Sequence, residues 1–219
     1  MPAELPGRSS ATPSSKSGEH YFTATPGSSA RRRTVSFSAA GVPLTLAASS
    51  GVFSADRLDP GTAVLLRKAP LPNGPGRYLD LGAGYGPIAC ALAVAAPQAT
   101  VYAVDVNTRG LELVRENART LQLDDRVVAA TPDQVPETLT FHQIWSNPPI
   151  RIGKPALRQM LDQWLPRLTP DGVAWLVVAR HLGADSLGEW LTDRGWRVER
   201  HASQKGYRVL AVRNEPPAA

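Results

Sequence analysis

Asp80-Leu81-Gly82-Ala83-Gly84-Tyr85-Gly86 is the strongest indication of fold in this 219-residue chain. It joins the apolar segment Arg77–Leu81, which has the length of a strand, to the alanine-rich segment Pro87–Ala96, which has helical character. Closely spaced glycines between a strand and a helix let the backbone turn tightly and approach a ligand without side-chain obstruction. The stretch therefore predicts a strand, a ligand-binding loop and a helix, which is the first unit of an α/β sheet.

The alternation of strand-like and helix-like segments continues toward the C-terminus. Predicted strands cover Thr100–Val104, Arg126–Ala130, Gln143–Ser146 and Val173–Ala179, and predicted helices cover Arg109–Leu121, Pro155–Leu168 and Leu187–Arg194. Trp196–His201 and Tyr207–Val212 are predicted to form a final hairpin around the turn 203–206. Such an order predicts a mostly parallel sheet with helices on both faces. Ligands bind these sheets at the carboxyl ends of the strands.

Residues before the glycine loop are predicted to add a hairpin and a helix. Thr34–Ser38 alternates apolar and polar residues, and Val42–Ala47 alternates less cleanly, as expected for two paired strands. Asp59 followed by Pro60 predicts the start of a helix that continues to Lys68, because a carboxylate caps the helix and proline suits its first turn.

Composition predicts one domain of ordinary size behind a tail. Residues 1–19 are rich in Pro, Ser and Gly, and we expect them to be disordered because they bury too little apolar surface. The domain is expected to span residues 20–215, with the hairpin and the first helix in 20–70 and a Rossmann-like core in 71–215.

Charge and cysteine content narrow the classes of partner and compartment. A formal net charge of +5 suits a polyanionic partner, and the run Arg31-Arg32-Arg33 is either a solvated loop or a set of phosphate contacts.

No apolar run approaches the roughly 20 residues that a membrane helix needs. The single cysteine, Cys90, excludes an intramolecular disulfide and favours a reducing, cytoplasmic compartment. The four histidines are scattered, so no metal site is expected.

Acidic residues at the strand ends indicate the kind of ligand. The Asp80 carboxylate would repel a pyrophosphate but attract the amino group of a methionine moiety. Asp105 follows the loop by about 20 residues, where a carboxylate accepts both ribose hydroxyls. Asp105 could instead cap the next helix, although Asn107 can fill that role. Asp133 either neighbours an adenine amino group or is a turn residue.

The second decisive stretch is Asn147-Pro148-Pro149-Ile150, which follows the fourth predicted core strand. Pro148 keeps a carbonyl that can accept, and the Asn147 side-chain oxygen is a second acceptor beside it. Two acceptors can hold both protons of a planar amino group and free its lone pair for attack on a sulfonium methyl. A rigid turn that merely ends the strand is the alternative. Together with the glycine loop, the stretch predicts methyl transfer from S-adenosylmethionine to an amine or amide nitrogen.

With these motifs, the sequence resembles the class I S-adenosylmethionine-dependent methyltransferases. More narrowly, it resembles the small-domain methyltransferases related to the small-subunit ribosomal RNA (guanine-N2) enzymes. The resemblance runs from about His20 to Arg213 and includes Gly51–Ser54, Val104–Asn107 and Lys205–Val209. It implies a Rossmann-like, seven-stranded, mostly parallel sheet whose last strand is antiparallel.

The resemblance also implies a set of site residues. Cofactor contacts are expected at Asp80, Gly82, Ala83, Gly84, Gly86, Asp105, Val106, Asp133 and Asn147. The catalytic turn is expected to be Asn147, Pro148, Pro149 and Ile150. Phe53 is expected either to cover the cofactor or to be a core aromatic.

Two departures from the family concern recognition of the target. Ile150 stands where relatives often carry an aromatic that stacks on the target base, so only apolar contact is expected there. Ala179–Leu182 replaces a more basic stretch. Larger relatives carry a second domain, and this chain is expected to lack it. Target binding is therefore expected from the hairpin, a partner, or the basic residues Arg31, Arg32, Arg33, Arg151 and Lys154.

These features predict an RNA methyltransferase that acts on the N2 amine of a guanine, with ribosomal RNA or a small ribosomal subunit as the partner. Two alternatives remain open at this point. The same chemistry could act on adenine N6 or on a protein glutamine amide. A noncatalytic RNA-binding module could also retain this fold.

Overall fold

The structure, a computed structural model, describes residues 32–49, 57–148 and 153–214. The strands are β1 (Arg32–Ala39), β2 (Val42–Ser49), β3 (Gly76–Leu81), β4 (Ala99–Val104), β5 (Val127–Ala130), β6 (Phe141–Ser146), β7 (Leu168–Ala179), β8 (Trp196–Gln204) and β9 (Tyr207–Asn214). The helices are α1 (Pro60–Lys68), α2 (Pro87–Ala95), α3 (Thr108–Thr120), α4 (Lys154–Trp164) and α5 (Ala184–Thr192).

Several sequence predictions fall on other parts of the chain. The predicted tail, Arg31, Phe53, Pro149, Ile150 and Arg151 lie outside the described residues. None of the described helices has the length and apolarity needed to cross a bilayer.

One seven-stranded sheet forms the centre of the molecule, in the order β5-β4-β3-β6-β7-β9-β8. The pairs from β5 through β7 are parallel, and β9 runs antiparallel to both of its neighbours. The predicted fold, including the antiparallel last strand, is confirmed. The chain leaves β3 toward β4 and leaves β6 toward β7, so the strand order reverses between β3 and β6. That reversal opens a crevice at the carboxyl ends of these two strands.

The core lies on both faces of the sheet. One apolar cluster packs α1, α2 and α3 against the first face, and a second cluster packs α4 and α5 against the opposite face. The hairpin pairs Arg32–Ala39 with Val42–Ser49 as a separate two-stranded sheet, and it packs on α2 and α3. The predicted hairpin and the predicted helices on both faces are therefore confirmed.

Two predicted boundaries were wrong at the centre of the chain. Helix α4 ends at Trp164 rather than Leu168, because Pro166 has no amide hydrogen and the following turn is a 3-10 helix. Strand β7 begins at Leu168 rather than Val173, and its register with β6 shifts where residues 169–172 interrupt the pairing.

The last turn of the chain is shorter than expected. Strand β8 continues through Gln204, so only Lys205 and Gly206 connect it to β9. Both residues have positive φ, 50° and 78°, as a two-residue hairpin turn of type I′ requires.

A buried amide on α3 joins the hairpin to the glycine loop. Asn117 of α3 is 2% exposed. Its Oδ1 accepts from the Ala47 backbone N–H at 2.7 Å, and its Nδ2 donates to the Ala47 carbonyl at 3.0 Å. The same Nδ2 donates to the Tyr85 carbonyl in the glycine loop at 2.9 Å. One side chain thus satisfies backbone groups of both β2 and the loop.

Asn117→Leu should lower the free energy of unfolding by about 1–3 kcal/mol for each buried backbone group that it leaves unpaired. Urea denaturation of the two proteins measures this difference. Asn214→Leu is the matched control, because Asn214 bonds the Thr169 and Pro170 carbonyls at the more exposed end of β9. Equal losses in the two variants would contradict the role assigned to Asn117.

Candidate functional site

The glycine loop folds over the end of strand β4. The Gly82 and Ala83 amides both donate to the Val104 carbonyl, at 2.8 and 3.1 Å. Gly84 N–H donates to Asp105 Oδ2 at 2.8 Å. Gly82 and Gly84 have positive φ, 79° and 57°, which only glycine adopts readily. The loop therefore presents bare backbone at the carboxyl edge of the sheet, as predicted.

Helix α3 packs closely against this loop through its first turn. A Cβ at Gly110 would lie 2.6 Å from the Gly84 carbonyl oxygen, so the first turn of α3 packs directly on the loop backbone. Asn107 caps this helix, accepting from the Arg109 and Gly110 amides at 3.1 and 3.3 Å. The capping role that the sequence left open for Asp105 therefore belongs to Asn107.

Asp105 is held by backbone donors and remains partly exposed. Oδ1 accepts from Asn107 N–H and Oδ2 accepts from Gly84 N–H, each at 2.8 Å. Burial raises the pKa of this carboxyl, and the backbone N–H groups oppose that shift. A carboxylate has about four acceptor positions, so it retains capacity to accept from a ligand hydroxyl. The adjacent Val106 is 42% exposed and offers an apolar surface beside them.

Asp80 is fully buried at the start of the loop, with 0% exposure. Its Oδ2 accepts from Ala89 N–H of α2 at 2.8 Å, whereas Oδ1 has no hydrogen-bond partner among the described residues. Burial raises the pKa of Asp80 to about 8; the Ala89 amide lowers it, and the Asp105 charge raises it further. A buried oxygen without a partner fits a ligand that supplies a donor, and an ammonium group would supply a charge as well.

The end of β6 lies beside the end of β3. Ser146 is fully buried, and its hydroxyl donates to the Leu81 carbonyl at 2.7 Å. Asn147 comes next, and its Nδ2 donates to Asp59 Oδ1 at 2.6 Å and to Thr62 Oγ1 at 3.1 Å. A carboxylate only accepts hydrogen bonds, so the amino group of the amide must face Asp59. The Asn147 oxygen therefore faces away from Asp59, and it lies 3.1 Å from the position of a Cβ built on Gly61.

Of the other predicted site residues, some share this edge and some lie elsewhere. Asp133 is exposed in a 3-10 turn directly after β5, and Lys154 is exposed at the first residue of α4. Arg32 lies on the hairpin, where its exposed guanidinium bonds Glu116 Oε1 at 3.0 Å. Arg33 is the next residue of β1 and is also exposed. Their expected ligand contacts stay predictions.

Asp59 and Tyr207 belong to the site, although the sequence did not indicate them as site residues. A Cβ at Gly61 would lie 3.0 Å from both Asp59 Oδ1 and Tyr207 Cε1, and 3.1 Å from Asn147 Oδ1. Asp59 was predicted as the cap of α1, and no role in the site was assigned to it. Nothing in the local pattern could connect it to Asn147, which lies 88 residues away in the chain.

Charged residues are distributed unevenly among the strand ends. Asp80, Asp105 and Asp133 stand at or just after the ends of β3, β4 and β5. Lys154 begins α4, Arg180 and His181 follow β7, and Lys205 lies in the β8–β9 turn. The Arg180 amide donates to the Gly206 carbonyl at 2.8 Å, which brings the end of β7 to the β8–β9 turn. Asp185 of α5 forms an ion pair with Arg208.

Groups of at least three His, Cys, Asp or Glu side chains suited to a metal ion do not occur in the described part of the chain. The site is instead built from carboxylates, glycine backbone and one oriented amide.

Comparisons with known proteins agree with this geometry. A family model described as the methyltransferase small domain matches residues 43–211. The uncharacterized protein YbxB of Bacillus subtilis is 32% identical over 197 residues, which cover 89% of this chain and 98% of YbxB. Ribosomal RNA small subunit methyltransferase C of Shewanella sediminis is 36% identical over 138 residues, which cover 60% of this chain and 39% of that protein.

Among solved structures, the 16S ribosomal RNA N2-G1207 methyltransferase of T. thermophilus superposes with a TM-score of 0.71 at 25% identity. That structure contains S-adenosylmethionine and guanosine, and the match covers 87% of this chain and 52% of that one. This chain thus spans about half or less of the length of these two ribosomal RNA methyltransferases, but nearly all of YbxB.

Gly110→Ala should destabilise the protein by about 1–3 kcal/mol, because the added methyl meets a backbone oxygen that cannot move freely. Helix propensity alone would favour alanine by about 1 kcal/mol. Gly188→Ala in α5 is the matched control, since its new Cβ would lie 3.8 Å from the nearest atom, Val198 Cγ1. The control should be neutral or stabilised in chemical denaturation. If both variants were more stable than the wild type, the contact between α3 and the Gly84 carbonyl would not restrict the residue at position 110.

Asp80→Asn should change how stability depends on pH. The folded pKa of Asp80 lies above its ordinary value of 3.8, so its favourable contribution is complete below that pH and is lost as the pH rises through about 8. The asparagine variant does not titrate. The free energy of unfolding of the variant, minus that of the wild type, should therefore increase between about pH 4 and pH 8. Urea denaturation at several pH values tests this, and a difference independent of pH would contradict it.

Proposed function

Because the chain belongs to the methyltransferase small-domain family, we propose that it transfers the methyl group of S-adenosylmethionine to the exocyclic N2 amine of a guanine in ribosomal RNA. The family and fold expected from the sequence are confirmed by the family match and the superposition. The observation that carries the proposal is the orientation of the Asn147 amide, whose amino group donates to Asp59 so that the amide oxygen faces away from that carboxylate.

The carboxylates at the ends of β3, β4 and β5 suit a cationic cofactor. Asp80 carries a buried, unpartnered oxygen for the amino group of the methionine moiety, and Asp105 keeps acceptor positions for the ribose hydroxyls. Val106 would contact the adenine ring, and Asp133 would accept from its amino group. Cofactor contacts with bare backbone are assigned to Gly82, Ala83, Gly84 and Gly86. When bound, S-adenosylmethionine supplies an electrophilic methyl group on a positively charged sulfur.

The Asn147 oxygen and the Pro148 carbonyl would accept the two protons of the guanine amine. The lone pair of the amine nitrogen is delocalised into the base. Hydrogen bonds from both amine protons to these two acceptors would rotate the amino group out of the ring plane, so that the lone pair can attack the methyl group. The amine becomes acidic only as the new bond forms, so its proton can leave afterwards to water without a strong base. Alignment and electrostatic complementarity therefore supply most of the rate enhancement. Pro149 and Ile150 would complete the turn, with Ile150 making apolar contact with the base.

The basic residues that follow β6, β7 and β8 suit a polyanionic acceptor. Lys154 begins α4, Arg180 follows β7 and Lys205 lies in the β8–β9 turn, where a phosphate backbone would find cations. Arg31, Arg32, Arg33 and Arg151 are proposed as further phosphate contacts. The structurally similar T. thermophilus enzyme is an N2-guanine methyltransferase of 16S ribosomal RNA, and this supports guanine as the target. A stacked guanine must leave its stack to reach Asn147, which favours loops and unpaired sites.

Transfer of a tritiated methyl group to several acceptors in parallel tests this proposal. The acceptors are naked ribosomal RNA, small ribosomal subunits, DNA and a glutamine-containing peptide, and digestion then identifies the product. We expect N2-methylguanosine from RNA or from the subunit. Radioactive methyl groups on adenine or on glutamine would show that one of these, and not guanine, is the substrate. If no acceptor is labelled and calorimetry detects no cofactor binding, the result would support the alternative of a noncatalytic module.

Two alanine variants should separate chemistry from cofactor binding. Asn147→Ala should remove most turnover and leave the affinity for S-adenosylmethionine nearly intact, because the Asn147 oxygen is assigned to the amine. Asp105→Ala should weaken cofactor binding by about 1–3 kcal/mol, the cost of removing an acceptor from a buried polar ligand. Isothermal calorimetry and single-turnover kinetics measure the two effects. Equal losses of affinity and turnover in Asn147→Ala would mean that the turn is only structural.

A further inference from the structure

The Asp59 carboxylate performs two tasks with one oxygen. Oδ1 accepts from Thr62 N–H at 3.0 Å and so caps helix α1. The same Oδ1 accepts from Asn147 Nδ2 at 2.6 Å, across 88 residues of sequence. Asp59 is 7% exposed and Thr62 is 4% exposed, so water competes little for either contact. A helix cap alone does not require an amide donor from a distant strand.

The hydrogen-bonding groups around Asn147 determine which way its side-chain amide is oriented. An asparagine amide can rotate by half a turn and exchange its oxygen for its amino group at little steric cost. Thr62 Oγ1, 3.1 Å from Nδ2, can donate or accept and so tolerates both orientations. The Asp59 carboxylate accepts only, so it permits just the orientation in which Nδ2 faces it. Asp59 is therefore the group that selects the orientation.

Packing around this pair leaves little room for another arrangement. Gly61 lies so close that an added Cβ would be 3.1 Å from Asn147 Oδ1 and 3.0 Å from the Tyr207 ring. Burial raises the pKa of Tyr85 and of Tyr207, and the negative charge of Asp59 raises both further.

We propose that Asp59 is a positioning residue that holds the Asn147 amide with its oxygen toward the acceptor nitrogen of the substrate. The proposal rests on the function proposed above for Asn147. A reversed amide would present its own N–H groups to the N–H groups of the target amine. Two donors facing each other repel, and the amine would lose one of the two acceptors that grip it.

Asp59→Ser separates the two tasks of this residue. Serine caps helices about as well as aspartate, so the thermal midpoint and the dissociation constant of S-adenosylmethionine should change little. The shorter side chain loses the contact with Asn147, and kcat should fall about 10–100-fold, the scale of a small misalignment. A merely structural role would instead lower the thermal midpoint and weaken cofactor binding. Wild-type kcat in this variant would overturn the proposal.

An exchange of the two side-chain types gives a rescue experiment. Asn147→Asp alone places two carboxylates in contact and should be nearly inactive. In the double variant Asp59→Asn/Asn147→Asp, the amide introduced at position 59 can donate to the carboxylate introduced at position 147. That carboxylate keeps a second oxygen for the substrate amine. We expect kcat of the double variant to exceed that of Asn147→Asp by about tenfold or more. Equal kcat values would count against the positioning role.

A measurement without any acceptor substrate keeps this inference distinguishable from the proposed function. In a ¹⁵N spectrum, the Asn147 side-chain amide is assigned by its absence in Asn147→Ala. Its protons should exchange slowly with solvent in the wild type and quickly in Asp59→Ser. Loss of protection with no methyl transfer by the wild type would reject the proposed function but not the orientation by Asp59. Methyl transfer by the wild type with equal protection in both proteins would reject the positioning role alone.

Discussion

The in-register pairing of β3 with β6 is the constraint on which the rest of the site depends. Asp80 of β3 lies opposite Trp145 of β6, so the glycine loop and Asn147 leave the sheet at the same level. The chain departs from these two strands in opposite directions, which leaves a crevice between them. The Ser146 hydroxyl holds the strand ends together by donating to the Leu81 carbonyl. A shift of one residue would move every side chain of β6 to the opposite face of the sheet.

Three aspartates of the site differ because their surroundings differ. Asp80 has one hydrogen bond and an unpartnered oxygen in a fully buried position, so its charge is unfavourable until a donor arrives. Asp105 accepts two backbone N–H groups and stays partly exposed, which suits a neutral diol. Asp59 accepts from a helix amide and from the Asn147 side chain. The same residue type thus suits a cation, a sugar and an amide.

Local patterns predicted much of this fold, because strands, glycine loops and helix caps depend on neighbouring residues. The Asp59–Pro60 helix start and the order of strands and helices were correct for that reason. The end of α4 was missed, although Pro166 carried the signal. Contacts between distant parts of the chain left no local signal: Asp59 with Asn147, and Arg32 with Glu116. The sequence could therefore indicate candidate site residues, but not the arrangement of donors and acceptors among them.

The Asn117 amide has a consequence for how the molecule responds to its ligands. It bonds Ala47 of the hairpin and the Tyr85 carbonyl at the same time, and it belongs to the helix that packs on Gly84. Detachment of the hairpin would break both Ala47 hydrogen bonds and so loosen the side chain that holds the Tyr85 carbonyl of the loop. Docking of the hairpin and ordering of the loop are thus thermodynamically linked, and the free energy that couples them acts equally in both directions. Whatever rigidifies one of these elements rigidifies the other.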